Sequence, residues 1–173
     1  MPSTRNLAIL AFALILLAAC GGAATPAKLV DGCALLTKAD VESLFGQPVA
    51  APEHKEIGEA PKDAASNAYV STCNYHTEGD PMRQASILAR QSFAADEALA
   101  TLKSTQEEMK NAGNEVQPVS GLGDGDGAYW DASFKQLNFV KGAVWYIVSA
   151  DASDSASALE NAQTLAAAIL GRQ

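Results

Sequence analysis

Three aspartates in a glycine-rich segment are the first candidates for ligand chemistry. Asp124, Asp126 and Asp131 have the close spacing used by calcium sites, because Ca²⁺ is bound by several carboxylate and carbonyl oxygens. Lys135, however, stands where the last position of an EF-hand loop needs a bidentate Glu. Asp and Gly are also the residues that tight turns prefer. We therefore predict a turn here and no metal site.

The two histidines offer the chemistry of a metal ligand or a general base. His54 lies in a segment without periodicity, and His76 lies on the polar face of a predicted strand. Isolated histidines of this kind are more often solvated surface residues. The chain also lacks a Gly-x-Ser-x-Gly turn, a phosphate-binding glycine loop and a His-Glu-x-x-His helix. We predict no enzymatic activity, no cofactor and no metal, although catalytic triads can assemble from distant residues.

Three cysteines carry the most specific chemistry of the chain. Cys20 follows an apolar run, which leaves Cys33 and Cys73 as an even pair in an exported protein. A bridge between them would close a loop of about 40 residues and contribute roughly 4 kcal/mol in the chain-entropy model. The alternative is two free thiols or a metal pair, but neither cysteine has a Cys or His at zinc-site spacing. We predict the disulfide.

The N-terminal segment has the pattern of a secretory signal peptide. Arg5 precedes an apolar run over residues 7–19. As a helix this run would span only about 20 Å, which is too short for a bilayer core of about 30 Å. Its last residues, Leu-Ala-Ala followed by Cys20, resemble the lipobox of bacterial lipoproteins, in which the cysteine sulfur takes a diacylglyceryl group. An ordinary signal peptide with an incidental Cys20 is the alternative.

These observations divide the chain into three parts. We predict a signal peptide over residues 1–19, a lipidated cysteine with a flexible tether of small residues over 20–28, and a single domain over 29–173. Two or three acyl chains such as palmitate, at about 0.8 kcal/mol per buried methylene, would hold the domain on a membrane. The protein is therefore predicted to be anchored without spanning the bilayer.

The net charge argues against nucleic acids and anionic lipid surfaces as partners, and the composition indicates the size of the core. The chain has 20 acidic and 12 basic side chains, a formal net charge of −8. Nucleic acids and anionic lipid surfaces are bound through clustered Lys and Arg, so neither is an expected partner. Hydrophobic residues make up 48% of the chain but aromatic residues only 6%. We therefore expect a modest core that depends on helix packing or a covalent bridge.

Hydrophobic periodicity predicts helices and strands in alternation. A first helix begins with Thr37 as the N-cap and Asp40 at the third position, and Gly46 ends it. Short turns join the strands, which favours an antiparallel sheet with the helices on one face. We predict an α+β two-layer sandwich with one disulfide. Its later elements are strands near 69–76, 84–92, 128–134, 136–141 and 143–150, and helices over 95–112 and 159–170.

Residues 48–67 are predicted to form a long loop. Pro48, Pro52 and Pro61 lie there among small and charged residues without periodicity. Loops of this length in compact domains are mobile or functional. We expect a deletion within the loop to have little effect on stability, because the cost of loop closure depends weakly on length.

Tyr129, Trp145 and Tyr146 are the candidate binding residues. Most aromatic residues will be buried in the core, since they remove the largest area from water. Neighbours in a strand face opposite sides, so Trp145 and Tyr146 cannot share a face and Tyr129 points away from Trp130. If one face of the sheet is uncovered, at least one of these rings would contact a partner or an apolar ligand there.

Several short motifs lie across the chain. They are Cys33 with Leu35 and Leu36, Cys73 with Tyr75, and Gly-Leu-Gly-Asp over residues 121–124 with Ala128 and Tyr129 downstream. Together with the lipobox, they resemble a family of uncharacterised bacterial lipoproteins that is common in actinobacteria. The resemblance covers most of the mature chain, although the loop here is longer by an inserted Gly-Asp. It implies the two-cysteine bridge and an α+β domain related to extracytoplasmic sensor or binding domains, and it implies no reaction.

The sequence thus predicts a lipid-anchored binding or interaction module on the extracytoplasmic face of the cell membrane. Its expected partners are the membrane, through the N-terminal lipid, and an envelope protein or a small apolar ligand. Two other classes stay open at this point. One is a cell-envelope enzyme or enzyme inhibitor, and the other is a structural accessory subunit.

Overall fold

A computed structural model describes residues 28–61, 68–125, 127–152 and 154–173. The predicted signal peptide, Cys20 and most of the tether lie outside the described residues. None of the helices within these ranges has the length and apolar character needed to cross a membrane. In chain order the elements are α1 (Gly32–Leu35), α2 (Lys38–Phe45), β1 (Glu53–Ile57), β2 (Tyr69–Thr77), β3 (Asp80–Gln91), α3 (Ala95–Asn111), β4 (Val116–Pro118), β5 (Tyr129–Asp131), β6 (Gln136–Lys141), β7 (Val144–Ala150) and α4 (Ser155–Leu170).

The strands form one antiparallel sheet in the order β1-β2-β3-β7-β6-β5-β4. Along β2 buried and partly exposed residues alternate from Tyr69 to Thr77, the period of a strand with one well-covered face. We call the face that carries Cys73 the first face, and α1, α2 and α4 pack on it. The mixed α+β class and the antiparallel sheet are confirmed. The larger buried side chains of the first face are Trp130, Leu137, Phe139, Tyr146 and Leu165.

The fourth helix, α3, packs on the opposite face of the sheet, which we call the second face. Its buried residues Ala98 and Leu102 contact Tyr129, Val140 and Trp145 in a smaller core. The predicted placement of the helices on one face therefore holds for α2 and α4 but not for α3. Strand order explains the difference. Because β3 pairs with β7 while β4 lies at the far edge, the chain must cross the sheet between them, and α3 makes this crossing.

The start of α2 agrees with the sequence pattern. The Thr37 hydroxyl accepts from the Asp40 backbone N–H, and the Asp40 carboxylate accepts from the Thr37 N–H at 2.8 Å, which completes the capping box. Gly46 ends the helix with φ 65°, a left-handed conformation that glycine adopts without strain. The preceding short helix α1 was not predicted, although its N-cap residue Asp31 is of the usual type.

The prediction of an unstructured loop over residues 48–67 is wrong for its first half. Val49 is fully buried and bridges Thr77, and β1 pairs with β2 along five residues. All five side chains of β1 are exposed, so this edge strand has no hydrophobic alternation that a sequence pattern could detect. A deletion that removes residues 53–57 is therefore expected to destabilise the sheet edge. Residues 62–67 lie outside the described part of the chain.

The predicted disulfide between Cys33 and Cys73 is confirmed. It joins α1 to β2, with the two Cα atoms 5.1 Å apart, and Cys73 is fully buried on the first face. The backbone N–H of Gly32 donates to the Ser71 hydroxyl at 2.9 Å beside the bridge. The bridge and this hydrogen bond together fix α1 against the sheet.

The C-terminal residues close over the N-terminal helices. Arg172 donates to the Asp40 carboxylate at 2.6 Å and to the Leu35 carbonyl at 2.8 Å. Burial by itself would raise the pKa of Asp40, but the hydrogen bonds from Arg172 and Thr37 outweigh it and hold this pKa below its ordinary value. A carboxyl group with a lowered pKa stabilises the folded state above its unfolded pKa, and this contribution is lost as the pH falls through the folded value.

Arg172→Ala is therefore expected to lower the free energy of unfolding by about 1 kcal/mol at neutral pH. The difference from the wild type should shrink as the pH falls through the lowered pKa of Asp40, because the ion pair is lost once Asp40 is protonated. Urea unfolding at pH 7 and near pH 2 measures this, with Arg90→Ala, on another element, as the control. A difference that stayed constant between the two pH values would contradict the ion pair as its cause.

Candidate functional site

The three aromatic residues predicted to form a binding surface are core residues. Tyr129, Trp145 and Tyr146 are 2%, 8% and 2% exposed. Tyr146 stacks on Phe139 on the first face with the ring centroids 5.2 Å apart, while α3 covers the other two rings on the second face. The predicted aromatic binding surface is therefore wrong. The alternation placed these side chains on opposite faces, but helices cover both faces at this position of the sheet.

Burial keeps the hydroxyl groups of two of these tyrosines protonated near neutral pH. Burial raises the pKa of Tyr146 to about 12. Burial, with a smaller effect of the Asp131 charge, raises the pKa of Tyr129 to about 12 as well. The Trp145 ring N–H is also occupied, since it donates to the Asn138 side chain at 3.2 Å. This part of the sheet is structural.

The predicted turn role of the aspartates is confirmed for Asp124 and Asp131. The Asp124 carboxylate accepts from the Gly142 N–H at 2.7 Å and from the Lys141 ammonium at 2.8 Å, so it caps the turn between β6 and β7. These two donors hold the pKa of Asp124 below its ordinary value. Asp131 accepts from the Ser133 N–H at 2.9 Å in the turn after β5. Asp126 lies outside the described residues.

The Gly-Leu-Gly-Asp segment has a structural explanation. The Asp124 N–H donates to the Val140 carbonyl at 2.7 Å, and Leu122 packs against the main core. Gly123 between them has φ 66°, and a Cβ atom built there would overlap the Val140 carbonyl oxygen. The segment thus packs against the end of the β6–β7 hairpin. This packing needs a glycine at position 123 and a hydrogen-bond acceptor at position 124.

The two histidines have different surroundings. His76 lies on the second face with Nδ1 3.0 Å from the Pro81 carbonyl. His54 lies on β1 on the side of the first face, where its Nε2 is 3.2 Å from the Ser71 hydroxyl and 3.4 Å from the Asp31 carboxylate. Serine, histidine and aspartate are also the residue types of a hydrolytic triad.

The geometry at His54 is not that of a nucleophilic triad. In a triad the serine and the carboxylate contact different ring nitrogens, whereas here both approach Nε2. Ser71 is also fully buried, and its oxygen already accepts the Gly32 N–H. A substrate carbonyl could not reach this hydroxyl. The arrangement does not support acyl transfer.

One half of the second face is not covered by any helix within the described residues. α3 packs over β5, β6 and the near part of β7, while the β2–β3 side of this face carries no helix within the described residues. We call this surface the open face. Its side chains stand in cross-strand rows and line a shallow groove of about 190 Å³: one row is Thr72, Leu88 and Ile147, and the next is Asn74, Ser86 and Ser149.

The open face is polar at one end, while its other end mixes aliphatic and charged side chains, because Val70 pairs with Ile57 on one side and with Arg90 on the other. Ser86 and Ser149 share a hydrogen bond of 2.8 Å between their hydroxyl groups. Ile57 on β1 lies at the same face beside Val70 and is 52% exposed, which is unusual for an isoleucine. The sequence contained the alternation of β2 and β3, but it did not indicate which part of the sheet α3 would leave uncovered.

A second depression lies at the other end of the sheet. It has a volume of about 460 Å³ and is lined by Asp80, Arg83, Asp151, Ala152 and Asn161. The Arg83 guanidinium lies 4.8 Å from the centre of the Phe45 ring, and the Asn161 amide donates to the Asp151 carbonyl at 3.4 Å. The lining is polar and the depression is wide open. It lacks the enclosed apolar wall typical of small-molecule sites.

No family model, curated protein or solved structure matches this chain. The resemblance to bacterial lipoproteins therefore stays an expectation drawn from its short motifs.

Proposed function

We propose that this protein is a lipid-anchored extracytoplasmic module that binds a protein partner through the open face. The observation that carries the proposal is the position of α3, which covers only one half of the second face. A sheet usually buries both faces or exposes one that is fully polar. Here the uncovered half keeps the aliphatic side chains of Leu88 and Ile57, with Ile147 at the border of the α3 core, among polar and charged ones that include Lys55 and Arg90. Aliphatic side chains that remain exposed among polar ones are a feature of contact surfaces.

The shape of the open face favours a protein over a small apolar ligand. Sites for small molecules are concave, mostly apolar and about 300–1,000 Å³ in volume. The groove here is about 190 Å³, and hydroxyl and amide groups contribute much of its lining. Protein interfaces combine an apolar centre with a polar rim of hydrogen-bonding groups. The row with Leu88 and Ile147 would supply the centre, and Asn74, Ser86 and Ser149 would supply the rim.

The proposed anchor is compatible with the path of the chain into the domain. The Gln91 side chain, at the end of β3, accepts from the Val30 N–H and donates to the Lys28 carbonyl, each at 3.1 Å. These bonds fix the first described residues against the sheet. A tether that ended at Lys28 would therefore attach the domain to the membrane at a fixed point beside the end of β3.

The partner surface can be tested by site-specific photocrosslinking in the cells that make the protein. A photoreactive side chain at Thr72 or Ser86 is expected to yield an adduct with one protein of defined mass. The same group at Thr164, on the exposed side of α4, is the control and should yield none. Leu88→Arg should remove the adducts at Thr72 and Ser86 while circular dichroism stays unchanged. Adducts equally strong at Thr164 would contradict the proposal.

The anchor can be tested separately by metabolic labelling with a fatty acid. The wild-type chain is expected to take up the label and to sediment with membranes. Cys20→Ala should take up no label, because the diacylglyceryl group needs the cysteine sulfur. If the wild-type chain took up no label, the lipoprotein assignment would be wrong. The proposed binding at the open face would then apply to a protein without a lipid anchor.

A further inference from the structure

Three exposed hydrophobic side chains lie at one end of the sheet. At this end β1 and β3 finish and β2 and β7 begin, and we call it the tether end because Lys28 is held there. Leu29 follows Lys28 directly, Ile57 is the last residue of β1, and Phe93 comes two residues after β3. These three side chains are 39%, 52% and 45% exposed. Each therefore leaves apolar surface in contact with water.

Hydrogen bonds hold the backbone of this end in place. The Gln91 side chain bonds to the backbone on both sides of Leu29, each time at 3.1 Å. The Phe93 N–H donates to the Glu97 carboxylate at 3.1 Å, where the chain passes from β3 into α3. Ile57 is fixed by the pairing of β1 with β2. The three apolar side chains are thus presented from defined positions of the fold.

The opposite end of the sheet provides a comparison. Met82 in β3 and Phe134 in the β5–β6 turn lie toward it, and they are the remaining large hydrophobic residues that are exposed in the described chain. Nine positions along β3 separate Met82 from Gln91, which corresponds to about 30 Å at 3.3 Å per residue. The tether end therefore carries three of the five exposed residues of this kind, at the place where the chain enters the domain.

The length of the predicted tether keeps the tether end close to the lipidated cysteine. Eight positions separate Cys20 from Lys28. An extended chain covers at most about 3.6 Å per residue, so Lys28 can lie no further than about 29 Å from Cys20. Contact with the membrane through the opposite end would need a tether stretched along nearly the whole sheet. Contact through the tether end needs no such extension.

We propose that the tether end rests on the lipid bilayer, with Leu29, Ile57 and Phe93 in the boundary between headgroups and acyl chains. The inference rests on the proposed lipid anchor and adds the orientation of the domain. Aliphatic and phenyl side chains gain free energy when this boundary removes them from water. Three such side chains would bind a free protein weakly. Because the anchor makes the contact intramolecular, a weak affinity is enough to hold the domain in one orientation.

The charges near the tether end favour a zwitterionic lipid surface over an anionic one. Arg90 donates to the Ser92 hydroxyl at 3.0 Å, and Lys141 donates to the Asp124 carboxylate at 2.8 Å. The first turn of α3, which begins beside Phe93, carries two acidic side chains. Anionic membranes are bound through clusters of several Lys and Arg residues. The contact would therefore depend on apolar burial and should show little dependence on salt.

This orientation would decide where the open face points. The open face runs along β2 and β3, and these strands would stand steeply on the membrane with the tether end at the bottom. The open face would then point sideways, toward a protein held in or on the same membrane. Ile57 lies where the open face meets the tether end, so the partner surface would begin directly above the lipid.

Quenching of tryptophan fluorescence by brominated lipids tests the orientation. The full chain is purified from membranes and reconstituted into phosphatidylcholine vesicles with or without bromine on the acyl chains, which quenches only at short range. Phe93→Trp adds an indole at the tether end, and Met82→Trp is the matched control about 30 Å away. We expect brominated lipid to lower the added fluorescence of Phe93→Trp at least twofold and to leave that of Met82→Trp unchanged. The wild type gives the background of the two buried tryptophans.

Leu29→Trp is a second reporter in case Phe93→Trp folds poorly, which circular dichroism checks. It should be quenched as Phe93→Trp is. Equal quenching of Leu29→Trp and Met82→Trp, or no quenching at either position of the tether end, would overturn the proposal. Fatty-acid labelling of the same preparations separates this result from a failure of the anchor. A labelled chain without preferential quenching would retain the anchor and lose the orientation, whereas an unlabelled chain would overturn both.

Discussion

Replacing both Cys33 and Cys73 by serine is expected to lower the free energy of unfolding by about 2–5 kcal/mol. The bridge closes a loop of 40 residues and attaches α1 to β2 on the first face. Without the bridge the unfolded chain gains conformational entropy. The short helix is then held by the hydrogen bonds of Gly32 to Ser71, Arg172 to Leu35 and Tyr75 to Leu36. Urea unfolding followed by tryptophan fluorescence measures the change, since Trp130 and Trp145 are both buried.

Two controls separate the bridge from the side chains. The wild type in the presence of a reductant should lose the same amount of stability as the double variant. Cys20→Ser removes a cysteine without affecting the bridge and should leave the midpoint unchanged. A double variant within about 1 kcal/mol of the wild type, which is the scale of an ordinary hydrogen bond, would mean that α1 does not need the covalent attachment.

Gly123→Ala is the second substitution with a large expected effect. We expect it to lower the free energy of unfolding by about 2–4 kcal/mol, from a left-handed conformation combined with a displaced backbone hydrogen bond. Gly123 has φ 66°, and its new Cβ would overlap the carbonyl of Val140 that accepts the Asp124 N–H. The loop must then move away from β6, and the Asp124 contacts with Lys141 and Gly142 are lost with it.

Gly121→Ala is the matched control for this prediction. Gly121 also has a positive φ, 77°, but no described atom lies within 4 Å of the position of its Cβ. It should lose only about 1–2 kcal/mol, the cost of a left-handed conformation for alanine. Chemical denaturation of the two variants beside the wild type gives the comparison. Equal losses would show that conformation alone, and not the close approach to Val140, sets the cost at Gly123.

The parts of the fold that were predictable have their causes close together in the sequence. The capping box of Thr37 and Asp40 and the stop at Gly46 depend on residues within one helix. The alternation of β2 reflects a strand with one well-covered face. The cysteine pair followed from counting, once Cys20 was set aside. In each of these three cases a short stretch of sequence, or a simple count, favours one structure over the alternatives.

The features that were missed depend on pairing across the chain. β1 has five exposed side chains, so it becomes a strand only because β2 supplies its hydrogen bonds. The burial of Trp145 and Tyr146 depends on two different helices, one on each face, which no pattern within β7 reveals. The contact between Asp31 and His54 also depends on parts of the chain that are distant in sequence. Asp31 meets His54 only because the disulfide and β1 place α1 at the same edge.

Both edges of the sheet have features that oppose the addition of further strands. β1 carries Glu53, Lys55 and Glu56, and charged side chains disfavour pairing with a foreign strand. At the other edge, β4 is only three residues long and ends in Pro118, which has no N–H to donate. If copies are concentrated on one membrane surface, as proposed, the two described edges would disfavour the joining of sheets into aggregates. Chains could crowd together there without polymerising through their backbones.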